Sequence, residues 1–164
     1  MKILVLSDSH ASIHLMRDAV RCIKPNAIIH LGDYFDDGEV LREENPHLSF
    51  YQVPGNCDRY RMQQWHPEVL CCQVCGVKLY MTHGHLHMVK SGLYRLLQDA
   101  AAEAVQAVLY GHTHTPDCRF ENDMWILNPG SCGHGGGSVG VLEVENGNIL
   151  SCRVVRQEDW EVQR

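Results

Sequence analysis

Five short apolar runs in this chain end in the same few polar residue types. Ile3-Leu4-Val5-Leu6 leads into Asp8-Ser9-His10, and Ala27 to Leu31 into Gly32-Asp33. Leu48 to Val53 leads into Gly55-Asn56-Cys57-Asp58, and Val77 to Met81 into Thr82-His83-Gly84-His85. Val105 to Tyr110 leads into Gly111-His112-Thr113-His114. Such runs are too short for core helices. Lys2 to Leu6 and Ala27 to Leu31 are continuous rather than alternating, the mark of strands buried on both faces of a parallel or mixed sheet. Ligand crevices in open α/β sheets lie at the carboxyl ends of strands. If these strands share one sheet edge, all five motifs converge on one place.

The remaining pattern fits an α/β chain. Ile13, Met16, Ala19, Val20 and Ile23 have helical spacing, and Pro25 stops that helix. Asp37 to Glu44 reads as a short polar helix or loop. Val69 to Val74 and Val77 to Met81 form a hairpin turning at Cys75-Gly76. Ser91 to Ala104 is a second helix with an apolar stripe through Leu93, Leu96, Leu97, Ala100, Ala101 and Ala104, and with Ser91 as N-cap. Strands follow at Arg119 to Phe120, Met124 to Leu127, Val139 to Val144 and Ile149 to Val155, with turns at Asn122-Asp123 and Asn146-Gly147. The beginning is β-α-β-like and the second half mostly antiparallel. Gly133-His134-Gly135-Gly136-Gly137 lacks the Lys-Ser/Thr ending of a phosphate-cradling loop and reads as a connection between strands.

Length and charge narrow the function. At 164 residues the whole chain, 1–164, is expected to be one domain. A net charge of −6 argues against non-specific nucleic-acid binding, which needs basic residues to neutralise phosphates. No apolar run approaches a membrane span, and the apolar start breaks too early for a signal peptide, so a cytoplasmic location is expected. The eight cysteines then read as thiols. The Cys72-x-x-Cys75 pair has no second pair at zinc-ribbon spacing and reads as small strand residues beside a turn.

The eleven histidines are not scattered evenly. In Asp8-x-His10 and His112-x-His114 the paired residues are two apart, so an extended chain points both to one side. The glycines before Asp33, Asn56 and His112 permit a sharp departure from the strand. Alone, each motif has an ordinary explanation: a turn aspartate, a surface histidine. Together they offer Asp8, Asp33, Asn56, His10, His83, His112 and His114. Mixed nitrogen and oxygen donors suit Mn²⁺, Fe, Zn²⁺ or Ni²⁺. Seven ligands exceed one tetrahedral zinc and fit two ions when one carboxylate bridges them. Two divalent ions, two aspartates and a hydroxide leave about +1, which attracts a phosphate ester. His14, His30, His47, His66, His87 and His134 show no such pattern and are set aside.

In this order, Asp-x-His, Gly-Asp, Gly-Asn-x-Asp, a strand-end histidine and Gly-His-x-His resemble the motifs of the calcineurin-like metallophosphoesterases. Gly-Asn-Cys-Asp, Thr-His-Gly-His and Asn128-Pro129-Gly130-Ser131 resemble the small prokaryotic YfcE-type phosphodiesterase branch, over residues 2 to about 152. The resemblance implies a four-layer α/β/β/α sandwich with two mixed sheets. It implies that Asp8, His10 and His114 bind one metal, that Asn56, His83 and His112 bind the other, and that Asp33 bridges them. It also implies hydrolysis of a small phosphoester, preferentially a diester, by in-line attack of hydroxide with two divalent ions, Mn²⁺ foremost. The rival readings are a phosphomonoesterase with the same site and a non-catalytic protein-interaction scaffold.

The chain departs from the family pattern at Cys57, where many members carry a histidine that assists the leaving group. A thiol is a weak donor. His85 is the alternative acid, so Asp33, Asn56 and His85 are the candidate catalytic residues. The Pro-Arg that often follows Asn-Pro-Gly-Ser is replaced by Cys132-Gly133-His134. Trp65 and Trp160 are read as either core or interface, which leaves a homo-oligomer open.

Overall fold

The computed structural model describes residues 1–60, 62, 64–134 and 137–160. Two five-stranded sheets stack face to face, with helices on both outer surfaces. Sheet one holds β1 (Lys2–Leu6), β2 (Ala27–His30), β3 (Ser49–Gln52), β9 (Ser138–Glu145) and β10 (Asn148–Arg156), in the order β10-β9-β1-β2-β3. Sheet two holds β4 (Val69–Val74), β5 (Val77–Thr82), β6 (Ala107–Leu109), β7 (Asp117–Glu121) and β8 (Met124–Asn128), in the order β4-β5-β6-β8-β7. Both are mixed. β1, β2 and β3 run parallel, as do β5, β6 and β8, while β9, β10, β4 and β7 pair antiparallel. The four-layer sandwich is therefore present.

The burial follows from the sequence runs. Ile3, Val5, Ile29, Leu79, Met81, Leu109, Leu127 and Leu142 fill the space between the sheets. Their alternate neighbours Leu4, Leu6 and Ile28 face the other way, against Met16, Ala19 and Ile23 of α1 (Ile13–Ile23) and Leu41 of α2 (Phe35–Glu44). Each of these strand residues is fully buried, so continuous apolar runs mark strands covered on both faces. On the far side, Val108 and Ile126 pack with Leu96 and Ala100 of α3 (Tyr94–Ala102). Helix α1 ends at Lys24, in the left-handed region with φ 52°, and Pro25 follows.

One expectation is corrected and three are sharpened. Ser91 does not cap the second long helix. It lies in a 3-10 turn, Val89–Ser91, and Gly92 at φ 137° interrupts the backbone before Leu93 and Tyr94 start α3. The Asp37–Glu44 segment is helix and begins earlier, at Phe35. The second half is mostly antiparallel, with β4-β5, β7-β8 and β9-β10 paired so, but the α3 crossover returns β6 parallel to β5, and β8 lies parallel to β6. Trp160 is core, 3% exposed in α4 (Gln157–Trp160) against α1, whereas Trp65 is 84% exposed. The glycine-rich connection does join β8 to β9, with Gly135 and Gly136 outside the described residues.

Candidate metal centre

The five motifs meet, but at the edges of two sheets rather than one. Asp8, Asp33 and Asn56 follow β1, β2 and β3, while His83 and His112 follow β5 and β6. Backbone hydrogen bonds lock these exits together: Asp8 N–H donates to the Gly32 carbonyl (2.9 Å), and Gly111 N–H to that of His83 (3.1 Å).

Donor atoms of Asp8, His10, Asp33 and His114 all lie within 4.8 Å of one another. His10 Nε2 and His114 Nε2 face each other at 3.3 Å, and His114 Nε2 stands 3.0 Å from Asp8 Oδ1. Asp8 is buried, and its Oδ1 accepts no hydrogen bond among the described residues, while Oδ2 accepts from Ser7 Oγ (2.6 Å) and His112 N–H (3.1 Å). A buried carboxylate oxygen left unpaired beside two imidazole nitrogens fits a cation-binding position.

On the other side, His83 Nδ1 donates to the Leu31 carbonyl (2.8 Å). That turns Nε2 toward Asn56 Oδ1 at 3.2 Å and Asp33 Oδ1 at 3.5 Å. A proton on Nε2 or a metal ion among the three atoms would satisfy them. The His112 ring lies 5.0 Å from that of His83, centroid to centroid. Burial, then His83 and Lys90, hold His112 down to about 4, so it is a neutral donor at pH 7. Burial likewise lowers His10. Burial alone would raise Asp33, but His83 and the Cys57 amide, which donates to Oδ1 at 2.8 Å, outweigh it and keep the carboxyl ionised. Asp33 thus faces both groups of donors.

The backbone reaches this arrangement differently from the extended geometry expected. Asp8, His10, Asp33, His112 and His114 have φ of 54°, 44°, 57°, 67° and 58°. Left-handed non-glycine residues cost about 1–2 kcal/mol each and cluster at functional sites. Asp8 and His10 do reach one cluster, but His112 and His114 diverge, one toward His83 and the other toward Asp8. Of the glycines before Asp33, Asn56 and His112, only Gly32, at φ +96°, uses a conformation that favours glycine. Gly55 and Gly111 are needed for space: a Cβ there would meet Asp33 Oδ1 at 2.2 Å and Ser7 Oγ at 2.0 Å.

Two residues escaped the sequence reading as contributors. Buried Asp58 accepts from Asp33 N–H (2.9 Å) and Gly55 N–H (2.7 Å) with Oδ2, and from Tyr34 N–H (2.7 Å) and Phe35 N–H (2.8 Å) with Oδ1. It ties the exits of β2 and β3 together and caps α2. The carboxylate three residues after a strand-end glycine is the local signal. His134, set aside above, packs its ring 4.6 Å from that of His10 and 5.7 Å from that of His114. His85 lies 5.4 Å from His83 and 6.1 Å from His112 by ring centroids, with Nε2 3.2 Å from Glu68 Oε2 but not aligned for a hydrogen bond. Burial, then His83, lower its pKa. Burial and the hydrogen bond to Asp33 push the exposed Cys57 thiol up to about 11.

The profile of the calcineurin-like phosphoesterase superfamily domain matches residues 1–147. The chain belongs to that family. It is 28% identical to phosphodiesterase MJ0936 of Methanocaldococcus jannaschii over 88% of this chain and 94% of that protein. It is also 28% identical to the probable metallophosphoesterase YsnB of Bacillus subtilis, over 80% and 75%. Among solved structures, a conserved predicted phosphoesterase of Streptococcus pneumoniae superposes with a TM-score of 0.77 at 26% identity, covering 96% of this chain and 90% of that one. Zinc-complexed Vps29 of Entamoeba histolytica shares the fold, with a TM-score of 0.68 at 19% identity over 95% and 99%. This metallophosphoesterase chain is thus a metal-dependent hydrolase by family, and the converging donors of Asp8, His10, Asp33 and His114 form a possible metal site.

Proposed function

We propose that this metallophosphoesterase is a phosphodiesterase with a two-metal centre. Asp8, His10 and His114 hold one divalent ion, Asn56, His83 and His112 the other, and Asp33 serves both. The observation that carries this reading is the convergence of donor atoms of Asp8, His10, Asp33 and His114 within 4.8 Å, with buried Asp8 Oδ1 left without a hydrogen bond among the described residues. When bound, two such ions supply Lewis-acid stabilisation of phosphoryl oxygens and lower the pKa of a water molecule. Their mixed nitrogen and oxygen donors accommodate Mn²⁺, Ni²⁺, Zn²⁺ or Fe, and the family resemblance puts Mn²⁺ first.

The chain's own residues position and exclude. Asp33 is oriented by the Cys57 amide, and His83 by the Leu31 carbonyl. Asn56 Oδ1, beside His83 Nε2, keeps a neutral donor at the exposed edge, where the ester is expected to enter. Neither candidate acid is strong at pH 7: Cys57 stays a thiol and His85 stays neutral, so each can donate only a weak hydrogen bond to the leaving oxygen. Good leaving groups are therefore favoured. The diester preference finds support in the similarity to phosphodiesterase MJ0936. We further infer one domain over 1–164, acting on a small phosphoester, with the eight free thiols suited to the cytoplasm.

The test is reconstitution. Metal-free protein is given single metals and assayed on an aryl phosphodiester beside an aryl monoester, then on diesters of graded leaving-group pKa. We expect Mn²⁺-dependent diester cleavage and a steep loss toward alkyl esters. Faster monoester cleavage would make the chain a phosphatase, and a flat leaving-group series would place a strong acid at the site.

A further inference from the structure

The His134 imidazole lies outside the two ligand sets yet is built into the same site. Its ring stands 4.6 Å from the His10 ring and nearly parallel to the His114 ring, at 5.7 Å and 19°. It is exposed, and its ring nitrogens make no hydrogen bond among the described residues. Its donor atoms are not among the four residues whose donors converge within 4.8 Å. It therefore flanks the first group of donors from the solvent side.

The backbone beneath it is anchored to that group. Ser131 Oγ donates to the Asp8 carbonyl (2.7 Å) and accepts from Gly133 N–H (3.1 Å) and His134 N–H (3.0 Å). Gly133 N–H donates to the same Asp8 carbonyl (3.2 Å). A Cβ on Gly133 would lie 2.2 Å from the Ser9 carbonyl oxygen, so only glycine lets the segment approach this closely. The loop between Asp8 and His10 and the loop carrying His134 are thus one packed unit. A surface histidine with no role would not need such a cradle.

We propose that His134 is a substrate-positioning residue: its ring N–H donates a hydrogen bond to a non-bridging phosphoryl oxygen of the ester bound at Asp8, His10 and His114. A phosphoryl group bound at the centre would leave an oxygen toward the rim, where the His134 ring lies beside those of His10 and His114. A neutral imidazole can do this without changing protonation state. The inference rests on the two-metal reading above.

Three variants decide it, each loaded with Mn²⁺: His134→Ala, His134→Gln and Gly133→Ala. Metal content is measured first, then the affinity for inorganic phosphate by calorimetry, then KM and kcat on an aryl diester. We expect His134→Ala to keep the wild-type metal content, weaken phosphate about tenfold and raise KM similarly. Glutamine, which also presents an N–H, should recover part of the loss. Gly133→Ala should weaken phosphate while keeping its histidine. Loss of a metal ion from His134→Ala would make His134 a ligand and overturn the proposal. Unchanged phosphate affinity and KM would overturn it too. Absence of metal uptake by the wild-type protein would instead overturn the two-metal reading, and this proposal with it, before any variant is compared.

Discussion

The two sides of the centre are held by different means. The side of Asp8, His10 and His114 is built on left-handed backbone, and its two histidines lie toward solvent, their rings packed on each other and on His134. On the side of Asn56, His83 and His112, only His112 is left-handed, at φ 67°, and His83 is fully buried with Nδ1 bound to the Leu31 carbonyl. Backbone strain predominates on one side, and a hydrogen bond to a fixed tautomer on the other. Strained loops hold their shape only while their surroundings over-determine them. The His83 side is therefore the better organised one before a cation arrives, and the side of His10 and His114 gains more order from the cation.

Asp33 belongs to both sides, so Asp33→Asn should have the largest effect. We expect at least ~10³-fold lower activity on an aryl diester, with both ions weakened and the circular-dichroism spectrum kept. Loss of a single ion at full activity would show that the two sides do not share this carboxylate. A second test compares the sides directly. His112→Ala and His114→Ala should each lose most of the rate, and the double variant little more, because residues acting as one unit are non-additive. Multiplicative losses would mean that the two histidines serve separate centres.

Asp58 tests the scaffold beneath the Asn56 and Asp33 loops. Asp58→Ala removes the acceptor of four amides, three of them buried, and should cost about 3–5 kcal/mol in urea unfolding, with Asp58→Asn recovering part of it. A loss below about 1 kcal/mol would show that water replaces the carboxylate readily. The smallest effect concerns pH. In metal-free protein His112 is held down to about 4, and burial also lowers His10 and His30. The unfolded chain takes up these protons near the ordinary histidine pKa of about 6.5, before the folded one does. Stability is then fully present above about 6.5 and falls as pH drops toward 4. Thermal melts across that window should show the slope, and His112→Gln should flatten part of it. A melting temperature independent of pH would mean that His112 titrates normally.

Much of this was legible in residue order. Continuous apolar runs revealed the buried strands because a strand covered on both faces has no polar side to show, and Asp, Asn and His at strand ends revealed seven ligand candidates. The start of α3 was not legible. Ser91 is a good cap by type, but Gly92 breaks the backbone directly after it. Nor was the parallel course of β6 beside β5 and β8, since strand direction depends on which way a crossover returns.

Sequence by itself determined which side chains could bind metal, because ligand chemistry belongs to residue types and local spacing places them after strands. Tertiary structure alone decided how the loops that carry them meet. Two sheets supply the strand exits, left-handed turns separate His112 from His114, and Asp58 joins loops 25 residues apart through Asp33 N–H. Only the folded chain brings His134 to His10 across the sandwich edge, through Ser131 and Gly133 seated on Asp8. The physical reason is that such contacts depend on loop packing between distant segments, and a local pattern carries no record of which loops will touch.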